Sequence, residues 1–443
     1  QHLAVRATDG RDGADGAAPT TGGDRLAYAQ QVRVGVPGRD SGGSAPYRPW
    51  RTLVPRYWSP FVAPADGGSA ILGAGTSAED AVGRHAYAAQ LGANLTTGDR
   101  EGSLAWRATR LGQPIVDVSV AQTWQYDTLS VTRAGQRERR PLDRRTRTIG
   151  ASATFARPRY RTNASLGVGA FLETRAYEST LPAVVRFADT TIGRRFPAVV
   201  VSAAWGNARR PLRSISPEDG VALSGSVQQR WQEGSTLGGT ARRALGTARL
   251  YKSLDLPGFA HHVLAVRVAG GVADRRSATE FTAGGVSGSA AELLPGVTVG
   301  DPQRTFAVRG FAPGAQRGLR AAAASVEYRA PLALPARGLL LLPVFADRLS
   351  LSAFADAGSA WCPTAIDRTR QALCLRQPSG APDVARSPEG ARWLASVGAE
   401  LALDAALQYD TGYRFRVGVA APVAERARAD RAVSAYLTLG LPF

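Results

Sequence analysis

The chain contains no run of apolar residues that could cross a membrane as a helix. Such a helix needs about 20 consecutive apolar residues, and the densest run here, Leu339 to Leu342, is far shorter. A helical membrane protein is therefore excluded. Hydrophobic residues still make up 44% of the 443 residues, so a large apolar surface must be buried somewhere. Strands that cross a membrane are not excluded, because each needs only about 10 residues of alternating hydrophobicity.

Methionine is absent and the chain begins with Gln1. We therefore expect a mature form or a piece of a longer protein, in which the lack of a signal peptide excludes nothing. The first 45 residues are rich in Gly, Asp, Ala and Pro, and only Arg25 to Val36 is strand-like. We interpret residues 1–45 as a linker with the tail of a preceding domain, and residues 46–443 as the main domain.

Lysine is nearly absent too, since Lys252 is the only one, yet the net charge is +18. Arginine carries this charge, and the arginines scatter singly along alternating segments and loops. They form neither a basic helix nor a compact patch with interleaved aromatics, which disfavours nucleic acid as a partner. Scattered arginine fits a polar lumen or contact with anionic lipid headgroups.

Cysteine occurs only at Cys362 and Cys374. A zinc site would need four ligands, and no histidine lies nearby. Two thiols in an otherwise cysteine-free chain predict one disulfide in an oxidising compartment, with two free thiols as the alternative.

Hydrophobicity alternates with period two through most of the chain from about residue 53, which predicts strands. Charged residues sit in the middle of these segments on the face opposite the apolar one, namely Asp117, Glu173, Arg267, Glu327, Asp356, Glu400 and Arg416. Aromatic residues lie near the segment ends, where membrane-interface girdles belong. This pattern predicts an all-β fold, a transmembrane antiparallel β-barrel of about 16 strands.

The predicted connections alternate between long and short, as in outer-membrane barrels. The long ones fall on one side, at about residues 128–141, 178–194, 275–317 and 362–390. An even strand number requires a first strand within about residues 53–63, whose two prolines remove ladder donors. A weakly paired first strand beside the last would form a lateral seam. The 275–317 loop is large enough to fold into the lumen.

This long loop carries Val308-Arg309-Gly310-Phe311. Inside a lumen Arg309 would need a partner, because an unpaired buried charge costs several kcal/mol. Asp356 and Glu327 are the best candidates, since both are predicted to face inward on strands after the loop. The alternative is a solvated loop arginine.

The segments Phe306 to Phe311, Ser325 to Leu332 and Phe354 to Gly358, together with the terminal Phe443, resemble the barrel of BamA-type outer-membrane assembly and translocation proteins, the bacterial surface antigen family. The resemblance covers roughly residues 50–443. It implies that Arg309 locks onto Asp356, that Gly310, Phe311 and Gly358 belong to the same lock, and that Glu327 is a secondary partner. Residues 1–50 are too short for the POTRA modules that usually precede such barrels, and Pro46 to Pro60 resembles the start of barrels that follow TolB-like propellers.

The end of the chain has a second interpretation. Tyr436, Leu439, Leu441 and Phe443 resemble the C-terminal signal by which the barrel assembly machinery recognises its clients, and a lipid-facing strand is a compatible alternative. The four histidines, His2, His85, His261 and His262, lack the neighbours of a triad or a metal site. We therefore expect no enzyme, no cofactor and no metal.

The leading hypothesis is an outer-membrane barrel of the BamA type that inserts, assembles or translocates proteins. Its expected partners are outer-membrane lipids and lipopolysaccharide, the barrel assembly machinery and client outer-membrane proteins. The alternatives are a passive pore or transporter for small solutes or lipids, and a membrane anchor for a missing N-terminal domain.

Overall fold

The structure is a computed structural model, and it describes residues 48–64, 69–133, 136–179, 195–233, 239–274, 281–288, 290–294, 297–300, 304–338, 344–363, 391–407 and 411–440. Within these ranges no helix is long and apolar enough to cross a membrane. In the same ranges, single-turn 3-10 helices occur at Pro49–Arg51 and Arg426–Arg428. Residues 1–45, the expected linker and tail, lie outside the described part.

The other regular elements of the described residues are strands. The strands are β1 (Ser59–Pro64), β2 (Ala70–Glu79), β3 (His85–Asn94), β4 (Arg100–Ala108), β5 (Ile115–Arg133), β6 (Gln136–Pro158), β7 (Asn163–Ser179), β8 (Arg195–Gly206), β9 (Gly220–Gln232), β10 (Gly239–Leu254), β11 (His262–Ala273), β12 (Phe281–Ala283), β13 (Ala290–Leu294), β14 (Val297–Gly300), β15 (Gln316–Gly318), β16 (Arg320–Ala333), β17 (Arg337–Gly338), β18 (Val344–Trp361), β19 (Leu394–Leu407), β20 (Thr411–Ala424) and β21 (Ser434–Gly440).

The main sheet has 17 strands, of which the two-residue β17 only extends the edge of β18. The other 16 form an antiparallel meander, as predicted. Each strand from β1 to β11 pairs with the next, and the order continues through β16, β18, β19 and β20 to β21. Between β11 and β16 the chain leaves the wall. The described residues there (274, 281–288, 290–294, 297–300 and 304–319), which we call the inner loop, hold β12 to β15 outside the main sheet.

Contacts between distant strands show that the sheet curls into a barrel-shaped wall. Arg414 on β20 donates a hydrogen bond to the carbonyl of Ile215, which lies between β8 and β9, at 2.9 Å. Six strand spacings of about 4.8 Å would separate β9 from β20 by roughly 30 Å in a flat sheet. A single cavity is likewise lined by residues of β9, β10, β11, β16, β18, β20 and β21.

The two faces of the wall differ in chemistry. Large apolar side chains are exposed on the outer face and stand in cross-strand register, as in the row Leu351, Leu401, Val417, Leu437. Val417 is 56% exposed and Leu437 70%. We call the exposed apolar residues on the wall the apolar belt; others are Leu91, Leu104, Val120, Ile149, Leu166, Val227, Leu250, Val268 and Val326. The inner face buries polar groups instead, among them Ser352, Asp356, Glu400 and Arg414.

Two details differ from the sequence prediction. Residues 128–141 are not a loop, because β5 and β6 run on to Arg133 and Gln136 in one long hairpin. The reason lies in Thr128 to Arg133, where the apolar Leu129 and Val131 alternate with polar residues, and where the β-branched Thr128, Val131 and Thr132 favour strand. The first strand is also shorter than predicted. It begins at Ser59, beyond Pro55, and keeps Pro60 and Pro64.

The pair Arg414–Asp404 offers a test of burial inside the wall. Both residues are buried, and Arg414 donates to the two carboxylate oxygens at 2.5 and 2.6 Å. Arg414→Gln leaves the buried Asp404 charge with only the longer contact to Arg348, at 3.8 Å, and should lower the free energy of unfolding by about 3 kcal/mol, the lower end of the range for a broken buried pair. The matched control is Arg107→Gln, which removes an exposed partner of Asp117 and should cost about 1 kcal/mol or less. Urea unfolding followed by tryptophan fluorescence measures both, and equal losses would contradict a buried pair.

Candidate functional site

The inner loop is built around its own short sheet. β12 pairs with β15, and an isolated bridge joins Gly285 to Val308. The backbone amides of Gly284 and Gly285 donate to the carbonyls of Phe306, at 3.1 Å, and Phe311, at 2.9 Å. These bonds satisfy the amides of Gly284 and Gly285 and the carbonyls of Phe306 and Phe311 within the loop, so these four groups need no water.

The loop packs on the inner wall through apolar side chains. Phe281, Phe306, Val308 and Phe311 form one buried cluster with small wall residues such as Ala323 and Ala360. The small wall residues allow close approach, and Gly358 is the extreme case. A Cβ added at Gly358 would come 2.6 Å from a methyl carbon of Val308. Gly358 therefore acts in packing, directly beneath the residue that precedes Arg309.

Arg309 is the centre of the contact between loop and wall, and it is 6% exposed. Its Nε and Nη2 donate to the two oxygens of Asp356, each at 2.7 Å, and its backbone amide donates to the same carboxylate at 3.1 Å. Nη2 also donates to Glu327 at 2.8 Å. The structure thus brings together the three charged residues that the sequence singled out.

Three further residues complete this cluster, which we call the arginine lock. Ser325 Oγ donates to Asp356 at 2.7 Å, Glu400 lies 3.8 Å from Arg309 Nη1, and the ring of Phe354 lies 3.5 Å from the guanidinium carbon. The sequence held the signal for two of them, since Ser325 shares a strand face with Glu327, and Phe354 shares one with Asp356. Glu400 was visible only as one of many inward charges.

Gly310 and Phe311 follow the arginine with different roles. Gly310 has φ +91°, a region that favours glycine, and its carbonyl accepts a hydrogen bond from Ser434 at 3.3 Å. Phe311 is buried in the apolar cluster. The loop is therefore attached to β21 as well as to β16 and β18.

Tyr436 joins the lock rather than the apolar face of the last strand. Its hydroxyl donates to Glu400 at 3.0 Å, and its ring covers Gly418. Leu439 is half-buried on the opposite face of β21, in phase with the exposed Leu437. The predicted C-terminal signal also includes Leu441 and Phe443, which lie outside the described residues.

The structure describes one of the two cysteines and three of the four histidines. Cys362 is disulfide-bonded and fully buried, and Cys374 lies outside the described residues. His85 stacks on Trp106. His261 contacts Glu218 at 3.0 Å, and that hydrogen bond and charge raise its pKa above the usual value. Within the described residues, no group of three or more His, Cys, Asp or Glu side chains could hold a metal ion.

The inner loop also reaches the two ends of the sheet. β13 and β14 form a hairpin that lies against β21, and β14 contacts β1 as well. Within the described residues β1 pairs only with β2, and β21 only with β20. One loop therefore contacts the arginine lock and both terminal strands.

Arg309→Ala would leave Asp356 and Glu400 as buried carboxylates without their shared cation. We expect a loss of about 3–5 kcal/mol in the docking of the loop, seen as faster proteinase K cleavage within residues 304–319. Arg329→Ala is the control, because Arg329 contacts the same Glu327 from the wall and not from the loop. Equal cleavage rates in wild type and Arg309→Ala would contradict docking through this residue.

No protein-family model and no curated protein matches the chain. Among solved structures it is similar to BamA from Haemophilus ducreyi lacking POTRA domains 1–3, at 14% identity and TM-score 0.46, covering 88% of this chain and 75% of that one. It is also similar to CdiB from Acinetobacter baumannii, at 11% identity and TM-score 0.43, covering 85% of this chain and 58% of that one. OprD from Pseudomonas aeruginosa matches at 12% identity and TM-score 0.30, over 84% and 89%.

Proposed function

We propose that this chain is an outer-membrane β-barrel of the BamA type that acts in the insertion, assembly or translocation of proteins at the outer membrane. The observation that carries the proposal is the arginine lock, in which a loop arginine is buried against Asp356 and Glu327 of the wall. This is the arrangement that the resemblance of residues 306–311 and 354–358 implies. No catalytic group takes part in the proposed function.

The apolar belt supports a location in lipid. A water-exposed surface rarely carries a contiguous apolar patch of this extent, and here the apolar side chains follow the outer face from β2 to β21. Lipid chains, with lipopolysaccharide on one leaflet, would cover the belt. In this proposal, the barrel assembly machinery would place the chain there.

The terminal strands support the proposal that the wall opens between the first and the last strand. β1 has only six residues and includes Pro60 and Pro64, neither of which can donate to a ladder. A sheet edge with free backbone groups is a template for another strand. A client outer-membrane protein would pair there while the β13–β14 hairpin moves aside.

A second candidate function is a passive pore for small anionic solutes. The observation that favours it is a cavity of about 530 Å³ on the inner side, lined by several arginines. The arginine lock holds the inner loop in this same space. If the chain is an assembly barrel, the docked loop should block conduction. If it is a passive pore, it should conduct with the loop docked.

Burial of the belt in lipid can be measured directly. Leu401→Arg places a charge in the middle of the belt and should lower the free energy of unfolding in phospholipid vesicles by about 2–4 kcal/mol. Leu111→Arg is the control, because Leu111 is 71% exposed in the turn after β4, and it should change nothing measurable. A Leu401→Arg variant as stable in vesicles as the control would refute a lipid-facing belt.

The two candidate functions separate in one pair of assays. Vesicles containing the wild type should speed the folding of an unfolded outer-membrane protein and show little conductance in planar bilayers. Replacing residues 290–300 by a Gly-Ser linker should raise conductance and change the folding rate of the client. Steady wild-type conductance with no effect on client folding would favour the pore and contradict the assembly role.

A further inference from the structure

Arg249 on β10 and Arg267 on β11 stand directly opposite each other in the sheet register. Both line the inner cavity, whereas their neighbours Leu250 and Val268 are exposed on the outer face. Like charges at directly opposed positions destabilise a strand pair. The pairing therefore costs free energy in the protein alone, and a bound counter-charge would relieve it.

The carboxylates that line the cavity, Glu327 and Asp356, form ion pairs with arginines other than Arg249 and Arg267. Seven arginines line it, and four of them have acidic partners within 4 Å: Arg309, Arg329, Arg414 and Arg416. The other three, Arg249, Arg267 and Arg304, make no ion pair among the described residues. The unpaired positive charges are thus concentrated at the β10–β11 side of the cavity.

Arg267 is held in place without a carboxylate. Its Nη2 donates to the carbonyls of Arg304, at 3.3 Å, and Thr305. Its Nε is buried and has no hydrogen-bond partner in the described part of the chain, which is costly for a charged donor. The guanidinium is fixed by the inner loop, so an anion that bound here would not have to order it.

Hydroxyl groups lie beside the two arginines. Ser224 Oγ and Thr247 Oγ1 share a hydrogen bond of 2.6 Å across β9 and β10, and both line the cavity with Tyr251. Thr247 is two residues from Arg249 and therefore on the same face of β10. The wall thus offers neutral donors next to two charged ones.

We propose that Arg249 and Arg267 form a binding site for a phosphate group. Two guanidiniums that face one space from adjacent strands can each donate to different oxygens of a tetrahedral anion. Inorganic phosphate or a phosphate monoester, with a charge near −2, offsets both arginines, whereas a phosphodiester or one carboxylate offsets only one. The cavity, about 530 Å³ in volume, is large enough for a small phosphorylated molecule or a lipid headgroup. This site does not depend on the proposed assembly function.

The test uses the full chain folded in a non-ionic detergent, titrated with inorganic phosphate by calorimetry at constant ionic strength. Arg249→Gln is the main variant, because Arg249 makes no hydrogen bond or ion pair among the described residues and its loss should not disturb folding. We expect phosphate affinity to fall about tenfold or more, the effect of one charged hydrogen-bonding group. Thermal stability without phosphate should stay the same or rise, because the like-charge pair is removed.

Arg107→Gln is the matched control, since it removes one positive charge from a wall strand outside the cavity, and it should bind phosphate like wild type. Equal phosphate affinity in wild type and Arg249→Gln would overturn the site. An equal loss in Arg107→Gln, or acetate binding as tight as phosphate, would overturn it too.

Nanodiscs distinguish the two possible sources of the phosphate group, a lipid headgroup and a free molecule. If phosphatidylglycerol nanodiscs displace phosphate and phosphatidylcholine nanodiscs do not, the natural ligand is a lipid headgroup. If phosphate binds equally in both, the ligand is a free phosphorylated molecule.

Discussion

A guanidinium that leaves water must find acceptors for its N–H groups, and this requirement governs how the inner loop meets the wall. Arg309 satisfies it with Asp356, Glu327 and Glu400, which belong to three different strands. Glu327 and Glu400 also contact Arg329 and Arg416, whereas loss of the Arg309 contact would leave Asp356 as a buried charge. That cost favours one docking position of the loop. The packing of Val308 on Gly358 and the left-handed turn at Gly310 serve that position, because each lets the backbone approach the wall.

The same rule separates the two faces of the sheet. Many inward charges pair with one another or with backbone carbonyls, as Arg414 does with Asp404 and Ile215, and the outward positions carry the apolar belt. Segments at opposite ends of the strands fold inward. Residues 207–219 contact β18 and β20 near the starts of these two strands. The inner loop enters from the opposite end of the wall, where β11 ends and β16 begins. Part of the arginine excess in the composition therefore lies on the inner side of the wall.

Much of this followed from the sequence, because period-two patterning records which side of a strand is buried. It gave the strand class, their number and the inward side of Asp356 and Glu327. What it could not give depends on contacts between distant segments. The pairing of Tyr436 with Glu400 and the contact of β14 with both terminal strands involve no local pattern. The hairpin at residues 128–141 was missed for another reason, since polar, charged residues there suggested a loop although their alternation favoured strand.

The central claim is that the apolar face of the wall meets lipid while the polar face surrounds the arginine-bearing loop. Spin labels placed singly along β20, from Arg414 to Ala421, in lipid vesicles test it most directly. The account predicts that collisions with oxygen peak at Val417 and Val419 and fall at Arg416 and Gly418, with period two. Uniform oxygen accessibility, or a peak on the Arg416 face, would contradict it.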